Sequence, residues 1–386
     1  MRTGIFGGSF DPVHAEHVAL VKAAIDTLRL DRVFVLPAYV PPHKRGRVLT
    51  DDIQRVAMLK KAFAGEEKAV VCEYELEQGG VSYTYLTCEH FKAVYPSDEL
   101  YFLMGTDMLR NFPTWKNPER ILQLCTIAVC DRAEKDKDWA EEEEKRFFSR
   151  FQKTFEKIEY TARAVSSTEV RVLAAAGEDV SALCGREVAA YIKENGLYEI
   201  KNAKAALANE KEERKAHSLR VAVAAAKKAV QLGVDERLAM TAALFHDCAK
   251  NLQSDSPLLK GFLLPQGVPV PVPQSVLHQF TGAYVAENAF GITDQDVLNA
   301  VRYHTSGREN MSILEQIVFL ADMVEDGRDY DVAERLRRLY YAEEGGLDFT
   351  TFEALRETLY YLEKKGDVYP LTRMAYEYLE KKLAKQ

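Results

Sequence analysis

At 386 residues the chain is longer than one hydrophobic core usually serves, so two domains of ordinary size are expected. Its 51 basic and 59 acidic residues leave a net charge of −8, which excludes a broad basic face for nucleic acid or an acidic membrane and confines phosphate recognition to local sites. Cys72, Cys88, Cys125, Cys130, Cys184 and Cys248 form no C-x-x-C pair, and no apolar run reaches the roughly 18–20 residues of a spanning helix, so a soluble cytoplasmic protein without disulfides is expected.

From residue 3 to about 198, β-rich runs (TGIF, RVFVLP, AVVCEYEL, ELYFLMG and TIAVC) alternate with stretches of helical period. That alternation predicts an α/β domain, residues 1–199, with a parallel sheet and crossover helices. Within it, GIFGGSFDPVHAEH (4–17) reads as a buried strand, a glycine turn and a helix capped by Asp11 with Pro12 at its first position. Gly7, Gly8, Ser9 and Phe10 then cradle an anion at the helix start, and His14 and His17, three apart, share one helical face. Two imidazoles beside such a cradle can stabilise charge developing on a transferring phosphoryl group.

These residues resemble the H-x-G-H nucleotidyltransferase superfamily, with a Rossmann-like fold, and within it bacterial nicotinate-nucleotide adenylyltransferases. Glu16 departs from the pattern, standing where the superfamily has glycine. LPAYVPPHK (36–44) resembles the family's proline-rich loop, which implies that His43 and Lys44 approach phosphates. SYT (82–84), MGTD (104–107) and Trp115 follow in the family's order, and the resemblance assigns Thr84, Asp107 and Trp115 to the nicotinate nucleotide; an indole face suits a pyridine ring. In VSSTEVR (165–171), Ser166 caps a helix and Glu169 stands where a capping box needs it. By the resemblance Ser166, Ser167, Thr168 and Arg171 bind ATP phosphates. The implied reaction joins nicotinate mononucleotide to ATP with Mg²⁺, giving nicotinate adenine dinucleotide and pyrophosphate, with His14 and His17 stabilising the transition state.

The charged stretch at 135–151 reads as an added surface helix, and CGREVAAYIKENGLYE (184–199) as the helix closing the first domain. Beyond residue 200 no convincing strand remains, which predicts an all-α second domain, 200–386, with a proline-rich loop at 263–274. His90 is expected on a helix surface. His217, His246, His278 and His304 all fall in the second half, and His246 is followed by Asp247 at the end of the apolar run MTAALF. A buried His-Asp doublet is costly unless a cation pairs with it.

The order His217, His246-Asp247, Asp322 resembles the HD phosphohydrolase superfamily, whose metal ligands these four match; Asp247 is thereby also implied in catalysis. HDCAK, RYHTSGREN, ADMVEDGRD and KGDVYPLT resemble the bacterial HD hydrolases that split diadenosine tetraphosphate symmetrically into two ADP. That resemblance implies nucleotide contacts from Lys250, His278, His304, Thr305 and Arg328. An imidazole and carboxylate set suits Fe or Mn, and His278 and His304 stand where a second metal or the substrate phosphates are held. Two alternatives stay open: the HD domain as a regulatory nucleotide-binding module, or as a hydrolase of another nucleotide phosphate ester. The expected partners are ATP, nicotinate mononucleotide and diadenosine tetraphosphate, with no nucleic acid and no membrane; a homo-oligomer is compatible with the sequence.

Overall fold

The computed structural model describes residues 1–41, 48–130, 137–160, 165–342 and 346–385, the side chains of 137–141 excepted. Two compact units emerge: Met1–Arg171 with Asp179–Gly196, and Val172–Glu178 with Leu197–Gln386. Among the described residues, no helix is long and apolar enough to cross a membrane.

In the first unit the central apolar runs become strands because they are buried on both faces, as a parallel sheet between helices requires. The strands are β1 (Arg2–Gly8), β2 (Arg32–Pro37), β3 (Ala69–Val71), β4 (Glu99–Gly105), β5 (Cys125–Cys130) and β6 (Glu156–Ile158). All pair in parallel, in the order β3-β2-β1-β4-β5-β6. The chain winds outward from β1 to β3, then returns to β4 on the other side of β1. The crevice at the carboxyl ends of β1 and β4 is therefore the switch point where such sheets bind ligands. Two expectations change here. Of AVVCEYEL only the edge strand β3 is extended; the rest turns into a short helix at Tyr74–Gln78, whose Glu75 accepts a hydrogen bond from Thr87 Oγ1 at 2.7 Å. β6, a charged three-residue edge strand, gave no sequence signal at all.

The crossover helices are α1 (Ala15–Leu28), α2 (Asp52–Ala62), α3 (Tyr74–Gln78), α4 (Thr84–Val94), α5 (Thr106–Asn111), α6 (Pro118–Leu124) and α7 (Lys137–Phe151), and after β6 follow α8 (Ser167–Ala175), α9 (Ser181–Cys184) and α10 (Arg186–Glu194). α7 is the expected added helix, but it also sends Phe147 into the core beside Phe112. His90 on α4 is half-buried rather than on the surface, stacked on Tyr74 at 3.7 Å.

The second unit is helical: α11 (Ala203–Leu207), α12 (Glu212–Leu232), α13 (Glu236–Phe245), α14 (Gln274–Asn288), α15 (Gln295–Tyr303), α16 (Ile313–Val324), α17 (Asp331–Tyr341), α18 (Gly346–Lys365) and α19 (Pro370–Leu383). Ala222, Ala225 and Ala229 on α12 and Ala239, Ala242 and Ala243 on α13 are fully buried in one core, and such small side chains let helix backbones approach closely. Gly282 serves the same end on α14, because a Cβ there would stand 3.2 Å from the His246 carbonyl. The proline-rich segment is the expected loop; Tyr369 donates to its Pro269 carbonyl at 2.9 Å.

Candidate functional site

The switch-point crevice of the first unit is a cavity of about 780 Å³, and Gly7, Gly8, Ser9, Phe10, His17, Thr84, Asp107 and Trp115 all line it. The turn after β1 differs from expectation. Asp11–Pro12 is a cis peptide outside the helix, and α1 begins at Ala15 with His14 as its cap. The Asp11 carboxylate accepts from Thr50 N–H at 3.4 Å, while His17 Nδ1 takes over as cap by accepting from His14 N–H at 3.1 Å. An imidazole that accepts at Nδ1 carries its proton at Nε2, so His17 is set as a donor on its other edge. His14 is buried behind it, the two rings stacked with centroids 3.7 Å apart, and Phe10 packs edge-on against His17 at 5.0 Å. Phe10 holds φ at +46°, and Gly8 is needed beneath it because a Cβ there would lie 3.0 Å from the phenyl ring.

Trp115 packs edge-to-face on Phe102 at 5.8 Å. Ser166, Ser167, Thr168 and Arg171 are not among the residues lining the cavity. Ser166 Oγ accepts from Glu169 N–H at 3.2 Å, as a helix cap does; Ser167 Oγ donates to Pro12 O at 2.9 Å. Arg171 is buried, donating to Asp11 O and to Thr168 Oγ1, so its guanidinium braces the turn. Lys44 and His43 lie outside the described residues. Glu16 points elsewhere, accepting from Tyr160 OH at 2.7 Å. Sequence reasoning missed Glu75 and Lys116 in the cavity wall and gave Ser82 of the SYT motif no role there; only adjacency to Trp115 could have flagged Lys116, whose Nζ sits 4.3 Å above the Tyr83 ring.

In the second unit, four helices deliver their histidines to one point. His217 lies on α12, His246 caps the end of α13, His278 lies on α14 and His304 caps the end of α15. Asp322 comes from α16, which opens with a Ser312 cap accepting from Glu315 N–H at 3.2 Å. His217 Nε2 is 2.9 Å from Asp322 Oδ1, and the Nε2 atoms of His246, His278 and His304 are each 3.4 Å from an Asp247 oxygen. His246 Nδ1 donates to Ala243 O at 2.7 Å and His304 Nδ1 to Val301 O at 2.8 Å, which directs both Nε2 lone pairs inward. His217 Nδ1 meets Glu325 Oε1 at 3.0 Å to the same effect.

Despite these short distances, His217 Nε2, His246 Nε2 and both Asp247 carboxylate oxygens are buried without a hydrogen-bond partner. Donor atoms of His217, His246 and Asp322, and of His246, Asp247 and His304, lie within 4.8 Å of one another. Convergent lone pairs with no shared proton fit a divalent cation. The electrostatics agree. Burial pushes His278 down to about 2 and His304 below its ordinary value, leaving neutral rings of the kind metals take. Burial opposes the Asp247 anion, but His246 and His304 hold it well below the usual carboxylate range. Burial likewise opposes charge on His246, yet the Asp247 anion beside it outweighs burial and lifts the ring to about 9, so positive charge is favoured at this point of the cluster.

Lys250 Nζ is 3.2 Å from Asp247 and Arg328 3.0 Å from Asp322; Thr305 Oγ1 lies 3.0 Å from His278 Nε2. Sequence reasoning missed Glu325, which also takes the Gly327 N–H at 2.6 Å, and Arg214, 3.1 Å from Asp247 and one turn before His217. An arginine three residues before the first histidine was the only signal for Arg214, and Glu325 carried none beyond its place in ADMVEDGRD.

A glycine turn opening on a cavity at the switch point of a parallel sheet and a histidine–aspartate cluster in a helical unit define a nucleotidyltransferase joined to an HD domain. Residues 5–173 match the cytidylyltransferase-like family and residues 214–326 the HD domain family. A Mycoplasma genitalium protein named probable nicotinate-nucleotide adenylyltransferase/Ap4A hydrolase is 31% identical over 325 residues, 84% of this chain and 87% of that protein. Its Mycoplasma pneumoniae namesake is 29% identical over 338 residues, covering 85% and 89%. A Clostridium tetani protein named probable nicotinate-nucleotide adenylyltransferase is 34% identical over 197 residues, 51% of this chain and 98% of that one. The chain belongs to the family of two-part nicotinate-nucleotide adenylyltransferase/Ap4A hydrolase proteins.

Proposed function

We propose that the first unit transfers AMP from ATP to nicotinate mononucleotide, and that the second hydrolyses diadenosine tetraphosphate symmetrically to two ADP. In the first reaction a phosphate oxygen of the mononucleotide forms a bond to the α-phosphorus of ATP as the bond to pyrophosphate breaks. The turn Gly7–Phe10 holds the phosphates by backbone N–H groups, and Arg171 and Ser167 brace it through the Asp11 and Pro12 carbonyls. His17 donates from Nε2 to the charge developing on the α-phosphate, with His14 stacked behind it; Thr84, Asp107 and Trp115 seat the nicotinate nucleotide. Mg²⁺ accompanies ATP. The observation that carries this half is that residues up to 108 positions apart, from Gly7 to Trp115, line one cavity.

In the second unit His217, His246, Asp247 and Asp322 would hold a transition metal, Fe or Mn by their mixed imidazole and carboxylate character, with His278, His304 and Asp247 able to hold a second. When bound, the metal supplies Lewis acidity to the phosphate chain and to the attacking water. Lys250, Arg328 and Thr305 orient the tetraphosphate from the rim. The carrying observation is the set of buried Nε2 and carboxylate atoms that face one another without a proton to share. The free cysteines fit a cytoplasmic enzyme.

The test is product chromatography with each substrate, before and after chelation and metal restoration. ADP as sole product of diadenosine tetraphosphate, recovered by Fe or Mn but not by Mg²⁺, is the expected result, with adenylyl transfer recovered by Mg²⁺ alone. AMP plus ATP as products, or binding without turnover, would overturn the second half.

A further inference from the structure

Arg55, on the first turn of α2, is fully buried. A guanidinium in a core persists only where its donors are used. Arg55 Nη1 donates to Ser9 O at 2.7 Å, Nε donates to Thr50 O at 3.1 Å, and Nη2 pairs with the Asp52 carboxylate. The first of these bonds reaches into the phosphate turn, because Ser9 lines the cavity.

The Ser9–Phe10 peptide is not one of the cis bonds. In a trans peptide N–H and C=O point in opposite directions, so holding the Ser9 carbonyl back toward α2 turns the Phe10 N–H away from Arg55. The same restraint keeps Phe10 at φ +46°, a conformation that a residue other than glycine adopts only when its surroundings impose it. Phe10 in turn packs on His17. Further along the turn, Arg171 takes the Asp11 carbonyl and Ser167 the Pro12 carbonyl. Carbonyls that would repel phosphate are thus occupied by donors at residues 9, 11 and 12.

We infer that Arg55 is the positioning residue of the phosphate turn: by holding the Ser9 carbonyl it presents the Phe10 N–H to the nucleotide phosphates and seats Phe10 against His17. This rests on the adenylyltransferase reading of the first unit. Lysine cannot replace it, since one ammonium lacks the planar fork that spans two carbonyls and a carboxylate.

The experiment uses the full chain and compares wild type, Arg55→Lys and Arg55→Ala, the last with and without added guanidinium ion. Nicotinate mononucleotide binding, followed by intrinsic tryptophan fluorescence, reports whether the first unit is folded. Arg55→Ala is expected to lower kcat for adenylyl transfer about 100-fold and raise the KM for ATP, while the KM for nicotinate mononucleotide stays within about 2-fold. Guanidinium refilling the hole should restore at least about 10-fold of the loss, and Arg55→Lys should fall between the two without rescue. Arg55→Ala with kcat within about 3-fold of wild type overturns the proposal, as does equal loss of both substrates without rescue, which marks Arg55 as merely stabilising. A wild-type chain that transfers no AMP sinks the adenylyltransferase reading itself, and this inference with it.

Discussion

Each functional imidazole is defined by what its second nitrogen touches. His17 is committed to donate from Nε2 because Nδ1 is filled by the His14 N–H. Removing one pre-aimed donor from a site of developing charge costs roughly 100-fold to 1,000-fold in turnover, so His17→Ala should lower the kcat of adenylyl transfer by that factor. The hydrolase rate of the same preparation should not change, and steady-state kinetics on both substrates checks it. At the metal cluster the equivalent partner is Glu325. Burial would lift its carboxyl, but His217 and Arg220 hold it down at about 2, so it stays an anion against the His217 ring. A carboxylate there raises ligand basicity, and Glu325→Gln should weaken metal binding by about 10-fold to 100-fold, read by competition with a chromogenic chelator. The candidate ligand types were legible in the sequence because a histidine and aspartate side by side in an apolar run are rare. Glu325 was not, being one acid among many until α12 and α16 are brought together.

At the scale of elements, close approach decides which side chains meet. The alanine faces of α12 and α13 and the bare Gly282 on α14 bring His217, His246 and His278 within reach of Asp247 and Asp322. In the first unit Asp98 performs the equivalent service for the sheet. It accepts from Thr3 Oγ1 on β1 at 2.7 Å and from Arg32 on β2 at 2.9 Å, just ahead of β4. The Thr3 hydroxyl, then Arg32, against the opposing effect of burial, lower its pKa to about 2. A folded value below the ordinary one means that this stabilisation is complete above about pH 4 and vanishes as pH falls through about 2. Asp98→Asn should therefore lower the urea midpoint of the first unit at pH 7 and flatten its decline between about pH 4 and 2. A variant with the wild-type acid profile would show that Asp98 is not the titrating group.

Over the whole molecule each candidate site is built from one compact unit's residues. Asp322→Asn should abolish hydrolysis of diadenosine tetraphosphate and leave adenylyl transfer at the wild-type rate; paired losses would mean that the sites share a step. The compact units also follow packing rather than chain order. Val172, Ala175 and Ala176 at the end of α8 bury with Ile200, Ala203 and Leu207, so Val172–Glu178 groups with the helical unit while Asp179–Gly196 returns to the sheet.

Periodicity and punctuation alone determined the parallel sheet and the helical second half, because strands buried on two faces and glycine turns leave direct marks on residue order, while the chemistry expected of the two histidine motifs came with their resemblance to known families. What the tertiary structure decided was long-range. β6, the reassignment of Asp11 from helix cap to turn anchor, and the partners Arg55 and Glu325 depend on groups tens of residues away, and a linear pattern carries no record of which distant donor will satisfy a buried carbonyl or carboxylate.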